Sequence, residues 1–219
     1  MITLQEVRAV KDIQELIQKA DDYLGALGFT DHGLNHINVV TKRALMLADK
    51  LSFSDEEKEL VGISAYMHDI GNLTGRRNHS VAGSIMAFQL LRELNVDISH
   101  ISRIMTAIAN HDESNSEITD PISAVLILAD KSDVRQSRVR EKNKQKFDIH
   151  DRVNFAVQDS SLLVINGIKE IWLNLEIDTS LSPMMDYFEI FLSRMLLSKK
   201  AAAKLGYTFH LKINSSILA

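Results

Sequence analysis

Six side chains able to ligate a metal are spread through the first two thirds of the sequence: His36, the adjacent pair His68-Asp69, His79, His111 and Asp130. The chain has no cysteine, so a metal site must be built from imidazole and carboxylate, which suit Mn, Fe, Mg or Zn. Helical periodicity puts His68 and Asp69 in the last turn before Gly71, His111 at the end of the helix that begins at Ile98, and Asp130 late in the apolar run from Ala124 to Ala129. Helix C-termini present partial negative charge, so a cation where several converge gains from their dipoles as well as from its ligands. A carboxylate in so apolar a helix as that of Asp130 would cost several kcal/mol, roughly, if buried without a cationic partner. Neighbouring side chains on a helix point about 100° apart, so His68 and Asp69 can flank an ion near the helix end without stacking on one face. The second carboxylate oxygen of Asp69 could then bridge to another ion, a two-metal arrangement suited to in-line displacement at phosphorus. His36 and His79 would close such a site.

Each of these residues alone has an ordinary structural explanation: a His-Asp dipeptide is common, His79 could precede a cap, and His111 could be solvated at a helix end. The order and spacing of the whole set carry the functional reading. His100, His150 and His210 are read as structural.

The elements that must position the set are mostly helices. Two prolines and nine glycines in 219 residues leave long stretches without breakers, and the region up to about Lys146 reads almost entirely as amphipathic helix. The clearest segments are 34–51, 55–70, 80–94, 98–110 and 121–131. Asp97 and Asp120 stand at N-cap positions, Pro121 suits a first helical position, and Gly71 suits a left-handed residue past a helix end. After about Asn154 the period changes. Leu162, Val164 and Asn166-Gly167 lead into alternating Ile171, Leu173, Leu175 and Ile177, a hairpin signal. Ser182-Pro183 then opens a helix ended by Gly206, and 207–213 reads as a third strand. The expected architecture is mainly α, a helical metal-binding domain over 1–150 followed by a small α+β appendage over 151–219 with a three-stranded antiparallel sheet and one helix.

The order His36, His68-Asp69, His79, His111, Asp130, with the segments His32-Gly33-Leu34-Asn35-His36, Met67-His68-Asp69-Ile70-Gly71 and Asn78-His79-Ser80-Val81-Ala82-Gly83, resembles the HD-domain superfamily of metal-dependent phosphohydrolases over roughly residues 30–135. The resemblance implies an HD-type helical bundle holding one or two divalent ions. His36, His68, Asp69 and Asp130 would bind the primary ion, and His79 and His111 would complete a second site as in dinuclear members. The mechanism it implies is attack by a metal-bound hydroxide on a phosphate ester of a nucleotide or other small molecule. Two departures narrow the substrate. Asn72 follows His-Asp-Ile-Gly where many cyclic-dinucleotide phosphodiesterases have lysine, and their downstream Gly-Tyr-Pro is absent; nor is there a clear Glu-Asp motif of the ppGpp-hydrolase kind.

For the chemistry itself the candidates are Asp69, Lys131 and His32, the last four residues before His36 and able to line the site or act as general acid. Lys131, Arg135 and Arg138 follow Asp130 at helical spacing and, on a continuing helix, would form a cationic stripe for phosphate; Arg76 and Arg77 lie in the loop before His79. A solvated basic face is the competing reading of these cations. A formal net charge of −4 with mixed signs gives no evident nucleic-acid surface and no attraction to anionic membrane. The charged N-terminal segment predicts a cytoplasmic location without a membrane anchor. Two other classes stay open: a di-iron HD-fold oxygenase with a similar ligand set, and a non-catalytic nucleotide-binding regulatory module. The edge of the appendage could cover the site or pair with a second copy in a homodimer.

Overall fold

The computed structural model describes residues 2–114 and 116–218. The helices are α1 (Leu4–Ala9), α2 (Lys11–Ala26), α3 (Leu34–Lys50), α4 (Asp55–Met67), α5 (His79–Glu93), α6 (Ile98–Ala109), α7 (Pro121–Lys131), α8 (Ile149–Ala156) and α9 (Met184–Lys204); the strands are β1 (Val157–Ile165), β2 (Glu170–Ile177), β3 (Thr208–Ile213) and β4 (Ser216–Ile217). Local chemistry starts several helices. Ser54 and Glu57 form a reciprocal capping box on α4. Asp97 caps α6 and Asp120 caps α7, with Pro121 in the first turn, so these caps stand where the sequence places them. The bundle closes around α7, whose residues from Ile122 to Ala129 are all buried and which packs against α3, α4, α6 and α9.

Three expectations need correction. Gly71 is not the left-handed residue after α4: it lies in a short 3-10 turn, Ile70–Thr74. Glycine is required there by close approach, since an added Cβ would stand 2.0 Å from the His79 carbonyl oxygen and 2.3 Å from the Gly83 nitrogen. That contact lets the start of α5 press against the chain carrying His68 and Asp69. Second, the helical reading fails after Lys131. The stretch to Asp148 holds only the 3-10 turns Gln136–Arg138 and Lys144–Lys146, because its cations bring no apolar face to bury.

Third, the appendage sheet has four strands in the order β1-β2-β3-β4 rather than three. β1 pairs with β2 as the antiparallel hairpin expected from Asn166-Gly167, and β3 with β4 antiparallel, but β2 and β3 run parallel. Parallel neighbours need a crossover connection, and α9 supplies it. Ile171, Leu173, Leu175 and Ile177 are buried on one face of β2, as their alternation implies. Gly206 ends α9 at φ +78°.

Candidate metal centre

The structure brings all six sequence-selected residues together. His68 is the C-cap of α4 and Asp69 follows it; His111 lies just past α6 and Asp130 in the last turn of α7. Three helix C-termini therefore face the cluster, while His36 sits in the first turn of α3 and His79 opens α5. His36, His68, Asp69, His79 and His111 are all buried.

The ligand atoms divide into two clusters on either side of Asp69. In the first, His36 Nε2 lies 3.3 Å from His68 Nε2 and 3.3 Å from Asp130 Oδ1, and Asp69 Oδ2 is 3.4 Å from His68 Nε2 and 3.8 Å from His36 Nε2. In the second, His79 Nε2 is 3.1 Å from His111 Nε2, and Asp69 Oδ1 is 3.4 Å and 3.7 Å from them. The carboxylate thus offers one oxygen to each side.

What lies behind the rings shows what these atoms fit. His68 Nδ1 donates to the Ala65 carbonyl at 2.8 Å, His79 Nδ1 to the Arg76 carbonyl at 3.0 Å and His111 Nδ1 to the Ile108 carbonyl at 2.6 Å, while His36 Nδ1 is 2.7 Å from Asp133 Oδ2. Each carbonyl can only accept, so Nδ1 of those three rings keeps its proton and a neutral ring turns a lone pair inward. Lone pairs meeting at 3.1–3.3 Å beside two carboxylates repel one another unless a cation stands among them, and this donor set therefore fits divalent metal.

Charge at the centre is arranged to match. Burial works against ionisation of Asp69, but His68 and His111 outweigh it and hold the carboxyl well below its usual range. For Asp130 burial is likewise overcome, chiefly by Lys131 and His36. Burial and the neighbouring His111 push His79 down to about 3, keeping it neutral. Burial alone would lower His68, yet Asp69 and Asp130 raise it; a metal would take the place of that proton.

The remaining candidates are placed differently. Lys131 is buried, its Nζ 2.9 Å from Asp130 Oδ2 and 3.2 Å from Glu113 Oε1, so it supplies the charge partner that Asp130 needs. Arg76 Nη1 reaches Asn72 Oδ1 at 3.1 Å and lies 3.3 Å from His79 Nε2. Arg77 is exposed beside a shallow cleft shared with Arg76, Asn78, Asp112 and Ser114. His32 is buried, donates from Nδ1 to the Thr30 carbonyl at 2.7 Å, and packs 5.6 Å from the His36 ring. Burial, then Arg138, hold it well below the usual imidazole range, so at neutral pH it is an acceptor or base rather than the general acid considered from the sequence.

The expected cationic stripe does not form, because α7 ends at Lys131. Arg135 turns to Asp133 Oδ1 at 2.7 Å and lines a separate cleft with Arg43 and Ser160. Arg138 is buried and donates to the Asp31 and Asp133 carbonyls at 3.0 and 2.7 Å, bracing the loop before α3. Sequence reading missed Asp133, the buried carboxylate that orients His36, and Asn72, whose Nδ2 donates to Asp69 Oδ1 at 2.8 Å. A second acid three residues after Asp130, beside buried Val134, was the available signal for Asp133.

Residues 33–137 match the family model of the HD domain. A relative, an uncharacterized protein of Methanocaldococcus jannaschii, is 25% identical over an alignment covering 58% of this chain. The chain spans 57% of that relative's length. Among solved structures, a predicted HD superfamily hydrolase from an uncultured Thermotogales bacterium is similar with 22% identity and a TM-score of 0.45, over 57% of this chain and 68% of that one. Among the described residues no helix is long and apolar enough to cross a membrane.

Proposed function

We propose that the protein is a metal-dependent phosphohydrolase that cleaves a phosphate ester of a nucleotide or other small molecule. The observation that carries this reading is Asp69 with one oxygen toward His36, His68 and Asp130 and the other toward His79 and His111. His36, His68, Asp69 and Asp130 would hold one divalent ion, and Asp69, His79 and His111 a second. Ions bound there would lower the pKa of water and polarise a phosphoryl oxygen.

The chain's own residues do the rest. Asp133 and the carbonyls of Ala65, Arg76 and Ile108 fix the rings, so the ligands need little reorganisation. Arg76, at the edge of the second cluster, is placed to meet charge developing on phosphate oxygens. His32, neutral and buried, offers an acceptor near the first cluster. Lys131 balances Asp130 and is a positioning residue.

The test is phosphate release under nitrogen, with Mn²⁺ supplied, from a panel of nucleoside phosphates and small phosphate esters. Turnover without oxygen is expected. Two bound irons with cleavage only in oxygen would replace this reading by the oxygenase, and nucleotide binding without turnover would replace it by a regulatory module.

A further inference from the structure

We propose that Arg194 of α9, with Arg76, forms the anion-binding end of the substrate cleft, and that two guanidinium groups there make the enzyme prefer a phosphomonoester to a diester. The proposal rests on the phosphohydrolase reading and adds to it a residue outside the segment that matches the HD-domain model and a substrate class.

A cleft of about 260 Å³ is lined by Leu27, Phe29, His32, Arg76, His150 and Arg194. His32 and Arg76 come from the neighbourhood of the metal ligands, His150 from α8 and Arg194 from α9. Arg194 is built in. Its guanidinium carbon lies 4.5 Å from the Phe191 ring centroid, and its Nε is 3.3 Å from Glu113 Oε1. Glu113 also faces Lys131, which pairs with the metal-ligand candidate Asp130. A chain of alternating charge therefore ties Arg194 to the metal centre, and α9 packs directly on α7.

Among the described residues no hydrogen bond takes up the two terminal nitrogens of Arg194. Arg76 is engaged through Nη1 with Asn72 and faces Asp69 Oδ1 at 3.8 Å. Asp148 and Asp151 also line the cleft; among the described residues neither forms an ion pair with Arg76 or Arg194, and Asp148 accepts from the Asp151 backbone at 2.8 Å as the N-cap of α8. A phosphomonoester carries about −1.5 to −2 charge near neutral pH, against a single charge on a diester. Arginine forks recognise such oxygens in pairs.

The probes are inorganic phosphate, titrated calorimetrically into chelator-treated wild type, Arg194→Ala and Arg194→Lys, and p-nitrophenyl phosphate with bis(p-nitrophenyl) phosphate, assayed with Mn²⁺. Loss of one charge-assisted pair predicts about tenfold weaker phosphate binding in Arg194→Ala, with partial recovery in Arg194→Lys. The monoester KM should rise to a similar extent with kcat nearly unchanged, and the diester KM should move much less. The proposal is overturned if wild type binds no phosphate, if Arg194→Ala binds it as wild type does, or if both esters shift equally. Should Arg194→Ala not fold, Arg194→Lys decides, and phosphate binding equal to wild type then counts against the proposal. If wild type cleaves no ester while phosphate binding still depends on Arg194, the cleft stands and the hydrolase reading falls; turnover with no dependence on Arg194 gives the reverse.

Discussion

The His36 side of the centre and the His79 side differ in what stands behind their ligands. His36 is backed by the buried carboxylate of Asp133, itself held by Arg135 and facing Arg138, and Asp130 by the Lys131–Glu113 pair. His79 and His111 are backed by backbone carbonyls alone, and exposed Arg77 and part-exposed Arg76 border them. A carboxylate behind an imidazole makes it a more basic ligand and fixes its orientation. The first cluster should therefore hold its ion more tightly, and the second should be where metal exchanges and substrate enters.

This contrast can be broken from either side. Lys131→Met leaves Asp130 without its buried cation and Glu113 with Arg194 alone, and breaking a buried pair in this way costs about 3–5 kcal/mol. Denaturation should show that loss in chelator-treated protein and a smaller one with Mn²⁺ present, because the metal partly replaces the lost charge. Gly71→Ala attacks the other side by forcing α5 away from Asp69. Overpacking of this kind costs about 1–3 kcal/mol, and the second metal equivalent should be lost before the first, as metal analysis after dialysis would show. Asp133→Asn removes the orienting carboxylate but keeps the shape. Metal competition assays should give about 10–100-fold weaker binding at the tighter site with little change at the weaker one.

The ligand set was legible because each member carries its chemistry in its residue type, and the starts of the helices that deliver His111 and Asp130 at their far ends are marked by Asp97, Asp120 and Pro121. Asp133 was harder to see. Its partner His36 lies 97 residues away, and only the packing of α3 on α7 brings them together. Arg135 and Arg138 misled because helical spacing of charged residues needs no helix: a stripe with nothing apolar beneath it does not extend one, and α7 stops at Lys131. The appendage sheet was misread where strand, helix and strand follow in order, the pattern of a parallel crossover, because the alternation of apolar residues is alike in both kinds of sheet. Gly71 was assigned the right residue for the wrong reason, since close approach of two backbones leaves no mark in local sequence.

The most direct test of the account is the metal content of wild type, His111→Ala and Asp69→Ala, each purified under nitrogen, shown to be folded by circular dichroism, saturated with Mn²⁺ and freed of unbound metal by gel filtration. If Asp69 joins two cation sites, wild type holds two equivalents, His111→Ala retains one, and Asp69→Ala retains almost none. Asp69→Ala retaining the metal content of wild type would contradict it.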